Sequence, residues 1–599
     1  MKKLVALLLA GVMVFGLAAC GSNAPAETPA EPPAQETPAE TPPAETPDAP
    51  EGTMGRTRGD GVFVVGTPEP QSGTFSPFYS SSSYDIWSIS LAQQTVLHFD
   101  SDDNTIPVLA SELPTVSEDG LTMTFNFRDD VLFSDGTPFT ANDVAFTMNV
   151  TSDPAVASRN VNSTRNVVGW DEMQAGNADT LAGVNVIDDY TLEVTFTGVF
   201  EDNILFFLTH HIVSEQQYLD AGFVPGDATA VEALGTELLG TGPFVLDSWT
   251  TETGSVHVRN EHYWGTFVDG APEMVIIRQV NDQMIQEHME AGDIDYWPME
   301  IMGHNIDALI QNPQFDHVAY TRGGLGYFAF NTTNGATAEQ EVRQALMFAF
   351  DRDAANAELF ATTQVPEGIA FTPATFQNPI SAMGPIVRGE VSVDGLEPYH
   401  FDKDRANQLL DDAGWVMGDD GVRVKDGERL VLRVVAMPDH SILDTLVPIW
   451  IANWSAIGVD VQVSYMPFLQ VIETVQSAEQ LTEWNIFFLA TSYTTNLMSG
   501  IRGFFHSTEF PLEGSNFSRI NDPEVDRLLD EANAETDPAR ALELYTELAI
   551  RLNDLAPMMP IYSNIRHDFW DRDIVADGLQ NVRELRNWPR VITDVSLRQ

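Results

Sequence analysis

Few residues in this chain have the type and spacing for chemistry, and each set can be weighed against what that chemistry requires. His210-His211 places two imidazoles side by side. Adjacent side chains point apart in a strand or a helix, and no partner cluster accompanies them, so no metal site is expected there. Asp100, Asp102 and Asn104 begin with the alternation of a calcium loop, but Thr105 stands where the turn glycine belongs and Ser111 where the closing glutamate belongs. A polar hairpin turn is the expectation. The single cysteine, Cys20, leaves no Cys-x-x-Cys zinc or redox site and no Cys–His nucleophile. No Gly-x-Ser-x-Gly elbow, Gly-x-x-x-x-Gly-Lys loop or His-Glu-x-x-His helix occurs. No enzymatic activity, resident metal or cofactor is therefore expected.

The position of Cys20 points to a different chemistry. Lys2 and Lys3 precede an apolar run from Leu4 to Ala19, and small residues lead into Cys20-Gly21. A basic start, a short apolar stretch and small residues before a cut are the parts of a secretory signal, and the run is shorter than the roughly 18–20 residues that span a bilayer. Leu17-Ala-Ala-Cys20 resembles the bacterial lipoprotein signal, which implies removal of residues 1–19 and acylation of the Cys20 thiol. From Gly21 to Glu51 the chain is almost all Ala, Pro, Glu and Thr, with Glu-Thr-Pro recurring at Glu27, Glu36 and Glu45. Such a segment cannot bury an apolar face. Proline stiffens it and like charges extend it, so residues 20–60 are expected to be a spacer between lipid and body.

The body is long enough for several cores, and its 43% hydrophobic and 10% aromatic content belongs to a globular chain. The formal charge is −58, and loss of Lys2 and Lys3 with the signal would make it −60. That field repels phosphate backbones, so nucleic acid is excluded as a partner. Only Lys403 and Lys425 remain as lysines after the signal, as expected of a very soluble or salt-tolerant surface.

The elements that must position any site mix both periods. Leu121, Met123, Phe125 and Phe127 alternate with polar residues, the period of a half-buried strand, as do Leu192, Val194 and Phe196. Thr140-Ala-Asn-Asp143 reads as a capping box opening a helix through Val144, Phe146 and Met148. Val342, Ala345, Leu346 and Ala349 share one helical face, and Leu409, Leu410 and Ala413 another before a stop at Gly414. Asp522-Pro523 and Asp537-Pro538 each supply an N-cap with proline at the first helical position. The fold class expected is α/β.

These segments also carry a resemblance. Phe125-Asn-Phe-Arg128 followed by Val131-Leu-Phe-Ser-Asp-Gly-Thr-Pro-Phe-Thr-Ala-Asn-Asp-Val144 resembles the signature of the family 5 extracellular solute-binding proteins of ABC importers, which include oligopeptide-, dipeptide- and nickel-binding proteins. Asp188 to Val194, Gly240-Thr-Gly-Pro-Phe244 with Trp249, and Arg259 to Trp264 follow in that family's order. So do Gly292-Asp-Ile-Asp295, Phe330-Asn331, Val342 to Leu346 with Asp351-Arg352, and Ala413-Gly-Trp415. Most of these read as turns and helix stops, so they identify a scaffold better than a cargo.

The resemblance implies a two-lobed, class II periplasmic-binding-protein-like clamp with an extra inserted domain. Lobe I would comprise residues 61–110, 210–325 and 558–599, the inserted domain 111–209 and lobe II 326–557. Strands near 320–330 and 555–562 would cross between lobes as a hinge. A monomeric receptor would close on a peptide or other small solute and pass it to the transmembrane subunits of a permease, held nearby outside the cell by its N-terminal lipid. A nickel chelate, saccharide or opine is the alternative cargo on the same scaffold; a surface hydrolase or chaperone would need a nucleophile or metal that is not found.

The ligand contacts implied are Tyr79, Ser81 and Tyr84 after the first strand, Tyr296 and Trp297 after Asp295, Tyr327 and Tyr562 on the hinge strands, and Thr491, Ser492 and Tyr493 in the far lobe. Aromatic residues there offer contact area at low entropic cost. Peptide-binding relatives often hold the α-amine with an Asp after Gly-Trp. Here Ala490-Thr491 stand for Gly-Trp and a threonine near Thr494 for the acid, so a free amino terminus is not the expected main anchor. Trp297 and Tyr562 have core packing as their alternative role.

Overall fold

The computed structural model describes residues 60–598 apart from 81, 101–103, 439, 494, 511–513 and 583–587. The apolar leader, Cys20, most of the Pro/Glu linker, Ser81 and Thr494 lie outside the described residues. Among the described residues, twelve strands join in one sheet whose path reads, from edge to edge, Asp460–Tyr465, Val431–Ala436, Ile486–Ala490, Gly326–Phe330, Met558–Asp571, Tyr296–Glu300, Val62–Thr67, Met274–Gln279, Gly254–Arg259 and Phe244–Thr250. Phe315–Thr321 and Ala370–Phe371 also pair with Met558–Asp571.

That fourteen-residue strand belongs to two half-sheets. Its first residues, Met558, Met559 and Pro560, face Ala329, Phe328 and Tyr327. Its later residues, Ile565 to Asp571, run antiparallel to Thr321 back to Phe315. Each half-sheet has its own aromatic core. On one side Trp87, Tyr296 and Trp588 meet edge to face, with centroids 5.5 and 6.0 Å apart. On the other, Phe328 packs 4.7 Å from Trp450 and 5.7 Å from Trp454. Two cores joined by a shared strand make a two-lobed body.

A separate four-stranded antiparallel sheet, ordered Thr115–Val116, Thr122–Asn126, Thr191–Thr195, Val184–Asp188, has a third core built on Phe125, Phe127, Leu192 and Val194. The helix Ala141–Ser152 starts as the sequence predicts. Thr140 Oγ1 accepts from the Asn142 N–H, and the Thr140 N–H donates to Asp143 Oδ2 at 2.7 Å. Its Val144 and Met148 enter that core, while Phe146 and Val150 enter a neighbouring one with Phe78 and Tyr218, so it is buried on nearly every side.

The remaining expected elements form where local chemistry places them. In the helix Gln340–Ala349, Val342, Ala345, Leu346 and Ala349 are fully buried. Gly414 ends the helix Lys403–Asp412 at φ +88°, where a side chain would be strained. Asp522 and Asp537 accept from the first N–H groups of helices beginning at Pro523 and Pro538. Gly240 has a different reason: a Cβ there would sit 2.1 Å from the Ala92 carbonyl oxygen, so only glycine admits the approach.

Candidate functional site

Three backbone segments meet where the chain passes between lobes. Residues 322–326 leave one half-sheet for the other, and they are glycine-rich because the meeting is close. A Cβ on Gly324 would lie 2.0 Å from the Thr491 carbonyl oxygen, and one on Gly326 would lie 2.3 Å from the Tyr562 ring. The Thr491 N–H donates to Leu325 O at 2.8 Å and the Tyr493 N–H to Gly323 O at 2.5 Å. Arg322 N–H donates to Asn564 O at 3.0 Å, and Ser563 Oγ to Gly324 O at 2.9 Å.

Two guanidinium groups sit in this junction. Arg322 is 5% exposed and Arg566 7%. Arg322 Nη2 donates to Thr491 O at 2.6 Å and Nη1 reaches Asn564 Oδ1 at 3.4 Å. Arg566 Nη2 lies 3.5 Å from Ser492 Oγ. Nε of both arginines, Asn564 Nδ2 and the Tyr493 hydroxyl are buried without a hydrogen-bond partner among the described residues. Burial, and then the neighbouring Arg566 charge, push Arg322 down to about 10. The acid two residues along the strand, Asp568, is already engaged: it accepts from the Tyr296 hydroxyl at 2.5 Å, the Met299 N–H at 2.7 Å and the Tyr320 hydroxyl at 3.0 Å. Burial raises Asp568 to about 6, with Arg566 only partly opposing it.

Several expected site residues surround these arginines. Thr491, Ser492 and Tyr493 supply the far wall. Tyr562 feels the Arg322 charge, which opposes the upward push of burial on its hydroxyl. Tyr84 is half-buried, its hydroxyl pushed up first by desolvation and then by Glu69, while Arg566 pulls it down. Tyr327 and Tyr493 stand against an aromatic wall: Tyr327 meets Phe376 at 5.1 Å and Tyr493 meets Phe504 at 6.0 Å, both edge to face.

The others lie elsewhere. Tyr79 packs beside the Phe78–Tyr218 cluster, its hydroxyl pushed up to about 12 by burial and by Glu232 and Asp153. Tyr296 sits between Phe63 and Trp588. Trp297 turns to the opposite side of the same strand, where its Nε1–H donates to Glu300 at 3.0 Å. The two histidines are held separately, His210 Nε2 3.1 Å from Thr151 Oγ1 and His211 Nε2 3.0 Å from Ser90 Oγ. Asp100 accepts from the Asn104 N–H at 2.9 Å between paired short strands. Sequence reasoning passed over Arg322 and Arg566. The available signal was a cation inside a strand buried almost throughout, in a chain with only 30 lysines and arginines.

A second junction closes the lobes. Glu201 accepts from the N–H groups of Met498 at 3.1 Å and Ser499 at 2.8 Å. Asp202 pairs with Arg165 and accepts from Asn533 Nδ2 at 2.9 Å. Glu509 accepts from Asn162 Nδ2 at 2.6 Å and from Arg502 at 2.5 Å, and lies 3.8 Å from Arg165. These bonds link residues some 300 positions apart, between the inserted sheet's domain and the far half-sheet.

Two cores on a shared strand, with backbone segments hydrogen-bonded where the chain passes between them, define a two-lobed clamp. The family model for bacterial extracellular solute-binding proteins, family 5, middle region, matches residues 104–510, and the chain belongs to that family. The nickel-binding periplasmic protein of Escherichia coli K12 is 25% identical over 490 residues, covering 79% of this chain and 83% of that protein. The oligopeptide-binding protein OppA of Lactococcus lactis subsp. lactis IL1403 is 25% identical over 457 residues, 70% of each chain. The structure of the oligopeptide-binding protein AppA from Bacillus subtilis in complex with a nonapeptide matches with a TM-score of 0.75 at 18% identity, covering 90% of this chain and 99% of that one. The fold is the α/β class II clamp. Proteins of this family are extracytoplasmic transport receptors rather than enzymes. Among the described residues no helix is long and apolar enough to cross a membrane.

Proposed function

We propose that this chain is the lipid-anchored receptor of an ABC importer, capturing peptides or peptide-like solutes by lobe closure and delivering them to the transmembrane subunits of the permease. The observation that carries the reading is the pair of interlobe junctions. Contacts such as Glu201 with Met498 and Ser499 exist only when the lobes are together, so a solute held by both lobes shifts the population toward the closed form. The peptide class draws support from the OppA relative. In this reading lobe I is residues 61–110, 210–325 and 558–599, lobe II is 326–557, and 111–209 is inserted; Tyr79, Ser81, Tyr84, Tyr296, Trp297, Tyr327, Thr491 to Tyr493 and Tyr562 remain the candidate contacts.

Mass spectrometry of solute extracted from the purified body, followed by thermal-shift screening against peptide, sugar and metal-chelate libraries, tests the reading. A solute at a hundredfold excess over Kd should add about 2.7 kcal/mol of stability. Extraction of a nickel chelate, saccharide or opine would transfer the receptor to that alternative, and no stabilisation by any class would remove the receptor function. Anchoring is tested separately. Cys20→Ala should release the protein from the detergent phase, and a processed variant that stays membrane-bound would end the lipid-anchor reading.

A further inference from the structure

We propose that Arg322 and Arg566 form an anion-binding subsite at the hinge, and that the solute presents a free carboxylate to them. The inference rests on the receptor reading above and names the chemistry of that same cleft. Cations are scarce in a chain of formal charge −58, yet two are buried as neighbours without an ion pair between either of them and any described carboxylate. Burying one unpaired charge is costly, and a second of the same sign adds repulsion.

Other buried arginines in this protein show what a structural role looks like. Arg343 spreads its guanidinium over the carbonyl oxygens of Leu555, Ala556, Thr337 and Ala338, at 2.6–3.2 Å. Arg352 does the same with Pro373, Pro560, Pro398 and Tyr399. Among the described residues Arg322 has one such carbonyl bond, beside the neutral Tyr562 hydroxyl and a 3.4 Å approach to Asn564 Oδ1, and Arg566 has a side-chain contact to Ser492 Oγ at 3.5 Å.

The groups left over here can all donate: Nε of Arg322 and Arg566, Nδ2 of Asn564 and the hydroxyl of Tyr493. What they lack is an acceptor carrying negative charge, and a planar carboxylate matches a guanidinium fork. The acids that face the junction are committed or remote. Asp568 is taken by Tyr296, Tyr320 and Met299, and Glu69 and Asp282 act on Tyr84. A free carboxylate can come from a peptide C-terminus, an acidic side chain or a small organic acid.

The test compares wild type with Arg322→Gln and Arg566→Gln by calorimetry and by melting without solute. The probes are a pentapeptide pool lacking Asp and Glu with free C-termini, the same pool C-amidated, an amidated pool carrying one Glu, and a panel of di- and tricarboxylates. We expect binding by at least one acid-bearing probe, little by the amidated acid-free pool, and a loss of about 10- to 100-fold in either variant. Which acid-bearing arm binds identifies the source. Melting without solute should hold or rise in the variants, because an unpaired buried charge is removed. Equal binding of acid and amidated pools, unaffected by the variants, overturns the subsite and leaves the receptor standing. So does a variant that melts several degrees lower while keeping its affinity. If these probes and the sugar and chelate libraries all fail to bind, the receptor reading falls and the subsite with it.

Discussion

Two arginine clusters meet the far half-sheet, one from the inserted sheet's domain and one at the hinge, and they are built on opposite principles. At the closing junction two guanidiniums, Arg165 and Arg502, share three carboxylates, those of Asp202, Glu509 and Asp530. Asn162, Asn166 and Asn533 take up further carboxylate lone pairs at 2.6–2.9 Å. At the hinge, Arg322 and Arg566 are neighbours, and among the described residues neither forms an ion pair with a carboxylate. The first cluster is complete and favours closure in any solute's presence or absence. The second opposes closure until something anionic arrives. A latch balanced by its own charges and a seat left unbalanced together make closure conditional on the right solute.

The largest effect that separates them is on stability. Arg502→Ala leaves the Glu509 carboxylate, 3% exposed, with Asn162 and an Arg165 that lies 3.8 Å away. Removing one partner of a buried pair costs about 3–5 kcal/mol, read as a lower denaturant midpoint. The hinge variants should show no such loss, and an equal drop in Arg322→Gln would erase the contrast.

A pH profile examines the claim that the hinge has no acid of its own. Burial raises Asp568 to about 6, so the folded state holds its proton more tightly than the unfolded chain does. The stability this gives is complete below the ordinary aspartate pKa of about 4 and disappears as pH rises through about 6, a loss of about 3 kcal/mol. Asp568→Asn keeps the neutral form at every pH, and its unfolding free energy should lack that decline between pH 4 and 6.5. If mutant and wild type run parallel there, Asp568 is ionised and serves Arg566 as a counter-ion, and the two clusters are alike.

The parts of this molecule that sequence discloses are those fixed by neighbours in the chain. The Thr140–Asp143 capping box, the Asp-Pro helix starts and the stripe Val342, Ala345, Leu346, Ala349 all appear where periodicity and cap chemistry put them. Aromatic residues near the cleft were harder, because residue type does not say which side of a strand is used. Tyr296 and Trp297 are successive and therefore point to opposite faces, one toward Trp588 and the other toward Glu300. The junctions were not legible. Glu201 finds Met498, and Asn162 finds Glu509, across hundreds of residues of intervening chain. Arg566 sits among Ser563, Asn564, His567 and Asp568, a polar run in a buried strand whose meaning depends on what packs against it.

The smallest expected effect isolates closure from folding. Glu201 Oε1 and Oε2 each accept one backbone N–H, from Met498 and Ser499. Glutamine keeps one acceptor oxygen and turns an amide N–H toward the other donor, so Glu201→Gln loses one charge-assisted bond and weakens the second. In the open form both side chains are hydrated, and the substitution should cost nothing there. The loss then falls on the closed state alone, about 1–2 kcal/mol, or a five- to thirtyfold weaker grip on whichever acid-bearing probe binds wild type. Scattering of the probe-saturated protein should still show the compact form, while melting without solute stays unchanged. Should Glu201→Gln instead lower melting without solute as far as Arg502→Ala does, Glu201 holds the fold rather than the closed state, and the balanced cluster is a permanent joint instead of a latch.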